Sequence, residues 1–346
     1  MSAPRPITIV GGGLAGLTLG IGLRQQGIPA TVIEAGHYPR HRVCGEFISG
    51  HGVKVLERLG LREALGRAGA IEARTAAFFS GRAQSPVRPM RTPALCLSRF
   101  LLDELLAKEF QRLGGELRLH ERWREEFGEA IVRASGRRPQ PIENGWRWFG
   151  VKAHARGVKP VADLEMHASP GGYVGLCRLS GGEVNVCGLF RRRPAAPAPA
   201  LDELGWLRGN PGSVLHERLS LSQFDAGSIC AVAGLSLSPR RAAARTECCI
   251  GDALTMIPPV TGNGMSMAFE SATMAIIPLA AYSHGRLPWM QAQQSLARAC
   301  DARFARRLAW AGFLQWFMFS SALQCRLGAL ALRSDWLWRA IFRNTR

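Results

Sequence analysis

The chain has 346 residues, 47% of them hydrophobic, which excludes disorder as its main state and gives length for about two domains of roughly 150 residues each. A formal charge of +18 comes from 44 Lys+Arg against 26 Asp+Glu, but the basic residues are nearly all Arg and lie scattered along the chain. With no clustered basic run and no zinc-finger, homeodomain, basic-zipper or RNA-recognition pattern, the charge reads as a solvated surface and nucleic acid is not an expected partner.

In chain order, the first element is an apolar run, Ile7 to Val10, expected as a buried parallel strand. Gly11-Gly12-Gly13-Leu14-Ala15-Gly16 follows at once, then a helical stretch from Leu14 to Gln26 closed by Gly27, then a strand from Ala30 to Ile33 ending on Glu34 and Ala35. Gly11 permits a tight turn, Gly13 lets a pyrophosphate approach the backbone, and Gly16 lets helix pack on strand. The helix N-terminus offers free N–H groups to an anion. Glu34, 21 residues after Gly13, suits the hydroxyls of an adenosine ribose, so FAD or NAD fits better than NADP.

Residues 145 to 190 read as four strands, Trp146–Ala153, Val161–His167, Gly172–Leu179 and Glu183–Phe190, expected to pair antiparallel. Trp146, Trp148 and Tyr173 are candidates for lining an apolar substrate pocket. Arg191 to Ala200 reads as a loop. Further on, Cys248-Cys249 reads as a buried strand before a second glycine-bearing turn, Gly251-Asp252-Ala253, then Pro259, then Gly262-Asn263-Gly264-Met265 at the start of an apolar helix. A row of backbone amides at that helix start suits partial negative charge.

Near the end, Leu308 to Cys325 is an uncharged run of 18 residues, and from Arg303 onward there are eight Arg against one Asp335 with four Trp. The expectation is a helical cap on the nucleotide-binding half, with peripheral membrane contact as the minority alternative. Nine cysteines form no C-x-x-C pair, no histidine has a ligand partner at metal spacing, and no signal-peptide core precedes the first strand, so no metal and a reducing cytoplasm are expected.

Gly251-Asp252-Ala253 followed by Pro259 and Gly262-x-Gly264 resembles the second FAD fingerprint of the para-hydroxybenzoate-hydroxylase-like flavoproteins, which include aromatic monooxygenases, flavin-dependent halogenases and geranylgeranyl reductases. Arg99, followed by Leu102-Asp103, resembles the family's FAD-contacting Arg-x-x-Leu-Asp helix, and Arg42-Val43-Cys44-Gly45-Glu46 resembles a Cys-Gly-Glu segment near the flavin, making Cys44 and Glu46 candidate catalytic groups. The resemblance implies a Rossmann-type α/β FAD-binding domain of the glutathione-reductase-like kind (residues 1–74, 95–140 and 243–295), a substrate domain built on an antiparallel β-sheet (75–94 and 141–242) and a helical C-terminus (296–346). It implies that Asp252 meets the ribityl or pyrophosphate part, that Pro259 lies beside the ring, and that the Gly262–Met265 amides face its N1–C2=O edge. The implied activity is hydroxylation of an apolar aromatic or polyketide-like molecule through a flavin C4a-hydroperoxide, with electrons from NADH or NADPH or from a separate flavin reductase. Alternatives are reduction of isoprenoid double bonds and a flavin-binding protein without catalysis. Two departures stand out: the family's mid-chain Asp-Gly appears as Ala134-Ser135-Gly136-Arg137, and Trp146-x-Trp148 is followed by Phe149-Gly150 in place of the Ile-Pro of tryptophan halogenases.

Overall fold

The computed structural model describes residues 3–169, 171–195, 202–320, 332 and 334–345. Strands are β1 Ile7–Val10, β2 Ala30–Ile33, β3 Phe47–Ile48, β4 Ile71–Ser80, β5 Ala83–Gln84, β6 Arg88–Cys96, β7 Glu116–Arg118, β8 Ile131–Arg133, β9 Arg147–Arg156, β10 Leu164–Ser169, β11 Gly172–Arg178, β12 Val184–Arg192, β13 Gln223–Ala233 and β14 Cys248–Cys249. The helices used below are α1 Leu14–Gln25, α2 His51–Arg58, α3 Arg62–Arg67, α4 Arg99–Arg112, α5 Glu203–Arg208, α6 Val214–Leu219, α7 Gly264–Ser283 and α8 Trp289–Met318.

One sheet has the order β14-β8-β1-β2-β7 and is parallel at every pairing. Its inner strands are short and largely apolar because both faces are covered, and Ile7, Ile9, Val32 and Val132 are fully buried, whereas the edge strand β7 exposes Glu116 and Arg118. Against this sheet α1 packs on α7 so closely that a Cβ on Gly22 would lie 2.2 Å from Ile276 Cδ1. The helix expected from Leu14 forms, and the buried strand at Cys248-Cys249 forms beside β8.

The second sheet has nine strands in the order β13-β9-β12-β11-β10-β4-β6-β3, with β5 on β4. The expected strands are present, but antiparallel pairing is not universal: β10 runs parallel to β4, so the two are joined by a crossover and not a hairpin. The strand expected from Val161 begins at Leu164. Asp163 is diverted to the amides of Arg74 and Thr75, while Glu165 Oε1 accepts from Val161 and Ala162. Trp146 lies just before β9. One face of the sheet buries Val151, Ala153, Val174, Val186 and Phe190 against α5 and α6. The other carries Trp148, Lys152 and His154 of β9, Asn185, Leu189 and Arg191 of β12 and Tyr173 of β11, which the register places side by side.

At the C-terminal side α8 lies on α7 through Arg303 and Arg307, which hold Glu270, and buries Phe304, Leu308, Ala311 and Leu314. The uncharged run expected from Leu308 therefore begins inside a packed helix, and its residues 321–325 lie outside the described ones. By length and composition α7 is apolar enough to cross a membrane, yet most of it is buried in the fold.

Candidate functional site

The ligand edge of a parallel sheet lies at the C-terminal ends of its strands. Here β1 delivers Gly11, β2 delivers Glu34, β8 delivers Ala134 and β14 leads to Gly251. At the turn after β1, Gly11 has φ +112° and a Cβ there would sit 2.4 Å from Ala134 O; one on Gly16 would sit 1.9 Å from Gly11 O. A Cβ on Gly13, in contrast, would meet nothing within 4 Å, and no side chain caps α1. The two neighbours are glycine for packing, whereas Gly13 leaves an open cradle over the helix start, beside Leu14 and Ala15.

Glu34 closes this turn. It accepts from the amides of Gly12 and Gly36, both at 2.8 Å, and pairs with Arg40 at 2.7 Å. Burial raises its pKa, but the Gly36 amide and the Arg40 charge outweigh burial and hold the carboxyl below its ordinary value. Oε2 takes the Gly12 amide and keeps acceptor capacity. Tyr38 donates to Gly12 O. Ala35 is exposed in the turn that follows.

The second fingerprint meets the first. A Cβ on Gly251, at φ +60°, would come 2.8 Å from Ala15 Cβ, so the two turns, more than two hundred residues apart in sequence, touch. Asp252 is exposed, yet protein encloses it enough for desolvation to raise its pKa, with Arg137 and Arg99 opposing that rise. The departure at Ala134 to Arg137 leaves Ser135 where an acidic residue was expected, and Arg137, two residues on, lies near enough for its charge to act on Asp252. Beyond Pro259, Gly262 takes a left-handed φ of +63° and has the Phe47 ring against it. Asn263 is buried and accepts from Ser49 Oγ at 3.3 Å; Gly264 and Met265 start α7, which has no side-chain cap at its N-terminus.

Arg99 and Arg42 converge on the buried Asp103. Arg99 makes a bidentate pair at 2.7 and 2.8 Å, and Arg42 approaches at 3.6 Å. Cys44 lies beside Arg99, and burial pushes the pKa of its thiol up while the Arg99 charge opposes that rise. Glu46, fully buried in a left-handed conformation (φ +59°), accepts from Arg99 N at 2.9 Å and from His154 Nε2 at 2.7 Å, and forms an ion pair with Lys152 Nζ at 3.3 Å. Burial would raise its pKa; the His154 bond and the Lys152 charge more than offset this and keep it ionised. Lys152, 0% exposed, also lies 3.0 Å from His41 Nδ1. Burial and the Lys152 charge push His41 down.

No sequence spacing announced this cluster. Lys152 and His154 are alternate residues of one strand, and Glu46 comes to them from the far side of the fold. Sequence spacing also offered no metal ligands, whereas the fold brings ligand atoms of His41, Glu46 and His154 within 4.8 Å of one another. The Lys152 ammonium supplies the positive charge there that a cation would supply.

Trp148 and Tyr173 lie in one buried cluster with Leu189, Leu235, Leu237, Val260, Leu314 and Phe319, and Trp146 packs against it. The three proposed pocket residues therefore meet, and Val260, next to Pro259, ties their cluster to the second glycine turn.

With this geometry, the open space at Gly13, two helix starts without side-chain caps and the solvent-reached Asp252 between them fit a dinucleotide carrying a ring system. Residues 5–171 match the family described as "FAD binding domain". Among solved structures, the fold is similar to the flavin-dependent brominase Bmp2 (17% identity, 99% of this chain and 93% of that one, TM-score 0.76) and to PqsL of P. aeruginosa in complex with 2-aminobenzoylacetate (17%, 95% and 100%, TM-score 0.70). It is also similar to halogenase PltM in complex with phloroglucinol and FAD (14%, 98% and 79%, TM-score 0.73). No curated protein matches the sequence. Residues 5–171 thus carry an FAD-binding domain, and the whole chain shares the fold of these flavin-dependent proteins.

Proposed function

We propose that this flavoenzyme is a monooxygenase that hydroxylates an aromatic small molecule bound against the inner face of the nine-stranded sheet. The observation that carries the reading is the cluster of Trp148, Tyr173, Leu189 and Phe319 adjoining Val260, because it sets an aromatic, water-poor surface beside the loop that would hold the flavin ring. FAD, once reduced, supplies the activation of oxygen. The chain's own residues bind and orient. Leu14 and Ala15 amides at the start of α1 receive the pyrophosphate, Arg42, Arg99 and Arg137 add positive charge around it, and Asp252 takes a hydroxyl of the ribityl chain. The amides from Gly262 to Met265 face the ring edge, and Glu46, ionised and tied to Lys152 and His154, fixes the Cys44–Phe47 segment against that loop. The electron donor in this reading is NADH or NADPH, directly or through a separate flavin reductase.

The test is to load the protein with FAD, supply reduced flavin or NAD(P)H under labelled O2, and offer aromatic substrates. Incorporation of one labelled oxygen into product is the expected result. Anaerobic turnover with loss of a substrate double bond would instead establish the isoprenoid-reductase alternative, and flavin that reduces and reoxidises without any product would establish a non-catalytic carrier.

A further inference from the structure

The outer face of α8 is built in two halves. By helical spacing Arg298, Ala302, Arg306, Trp310, Phe313 and Trp316 share one stripe, while Cys300, Phe304, Arg307, Leu308, Ala311 and Leu314 fill the opposite, buried one. The first half of the outer stripe is basic and small, and its last two turns are aromatic. Trp310 meets Phe313 edge-on with ring centres 6.1 Å apart, and Phe313 lies 6.0 Å from Trp316, a ladder at three-residue spacing. Phe313, in the middle of that ladder, is 51% exposed.

The chain ends on a helix of the same design. This helix, α9 (Asp335–Thr345), rests on α8 and is held by Trp338, whose ring centre lies 5.2 Å from that of Phe78 and 5.4 Å from the Arg88 guanidinium. Trp336, Arg339 and Arg343, at i, i+3 and i+7 of α9, are exposed. Among the described residues Phe313, Trp316 and Trp336 are the only exposed Phe or Trp side chains. All three sit where the charge is most one-sided, because after Pro288 the sequence holds nine Arg and only two carboxylates, Asp301 and Asp335. Both carboxylates are engaged elsewhere: Asp301 accepts from the amides of Ala242 and Ala243, and Asp335 pairs with the buried Arg88.

We propose that the exposed faces of α8 and α9 dock on an anionic phospholipid surface, with Phe313, Trp316 and Trp336 entering the headgroup layer and the arginines meeting lipid phosphates. Trp is at home at that depth, and a guanidinium fork matches phosphate oxygens. Both helices lie on the membrane and do not cross it, since each keeps one side in the protein: Phe304, Leu308 and Leu314 of α8 and Ala340 of α9 are buried. A second copy of the chain is the poorer occupant. A twofold contact through this face would bring the same arginines together, with both helix carboxylates already engaged. The surface lies outside the cofactor site, so the proposal stands whatever reaction the flavin performs.

The experiment is co-sedimentation of the full-length, FAD-loaded protein with vesicles of phosphatidylcholine, alone or with about one-third phosphatidylglycerol. The expected result is at least about tenfold tighter binding to the anionic vesicles, lost as salt rises to about 0.5 M. Phe313→Ser with Trp316→Ser, and separately Arg339→Gln with Arg343→Gln, should each weaken binding about tenfold. Arg122→Gln with Arg124→Gln removes the same charge from the loop after β7, at the sheet edge opposite β14 and α8, and should change binding less than about twofold. All six side chains are exposed, and flavin absorbance with the unfolding midpoint confirms that each variant is folded. Quenching of tryptophan fluorescence by brominated lipid, reduced in Trp316→Ser alone, reports insertion independently. No binding, equal affinity for the two kinds of vesicle, no quenching, or equal losses from the two arginine pairs would each overturn the proposal, the last by leaving only the diffuse charge of +18. So would a lipid-free dimer that Phe313→Ser with Trp316→Ser dissociates, because the face would then belong to a second copy.

Discussion

Two ends of one sheet face differ in a way that separates architecture from recognition. At one end Glu46, Lys152, His154 and His41 form a buried network in which each charge has a partner within 3.3 Å. At the other, Arg191, Tyr173 and Gln315 carry buried polar atoms with no hydrogen-bond partner among the described residues. A completed network keeps its geometry whatever is bound. An incomplete one leaves hydrogen-bonding capacity unused among the aromatic rings.

The largest expected effect breaks the completed end. Lys152→Met strands the Glu46 carboxylate in the interior and should cost about 3–5 kcal/mol, read in denaturant unfolding. Adding Glu46→Gln should restore part of that loss; strictly additive losses in the double-mutant cycle would mean that the two residues are not coupled.

A smaller effect contrasts two glycines of the first turn. Gly16→Ala forces a Cβ against Gly11 O and should cost about 1–3 kcal/mol of stability along with flavin. Gly13→Ala should leave stability within about 0.5 kcal/mol of the parent while weakening FAD binding about tenfold, since its Cβ projects only into the cradle. A Gly13→Ala protein with parental FAD affinity would show that the pyrophosphate lies elsewhere.

The pH dependence is the next in size. Glu46 and Glu34 both have folded-state pKa values below the ordinary 4.5, so their stabilisation is complete above that value and is lost as pH falls through the lower, folded one. Acid titration of thermal stability should therefore steepen below about pH 4.5, less so in Glu46→Gln; an identical profile for the two proteins would remove Glu46 from the account.

The smallest effect concerns the C-terminal helices, where Trp316 is 59% and Trp336 76% exposed. If that side touches membrane, the protein should co-sediment weakly with anionic vesicles at low salt, and Trp316→Ser with Trp336→Ser should abolish it. Absence of vesicle binding at low salt would leave α8 a cap and nothing more.

The sequence made the cofactor side legible because its signals are contiguous. Strand, glycines and helix start succeed one another between Ile7 and Gln25, and Gly251 to Met265 repeats the device. The rest depended on register. Lys152, His154, Asn185 and Arg191 are ordinary alternate residues of strands until β9 and β12 pair, and the parallel seam of β10 on β4 follows from a crossover that no local pattern encodes. The candidates Trp146, Trp148 and Tyr173 were visible as aromatics. The guanidiniums stacked among them were hidden in a run, Arg191 to Arg193, that reads locally as the edge of a loop.

The close crossing at Gly22 and Ile276 carries a mechanical consequence. About 12 Å of helix separates Gly22 from Leu14, and about 18 Å separates Ile276 from Gly264. The crossing thus bears on the span between the two positive helix tips, like the rivet of a pair of calipers. Widening it with one bulky side chain is expected to splay tips that no mutation had touched, and so to weaken cofactor binding from a residue remote from both glycine turns.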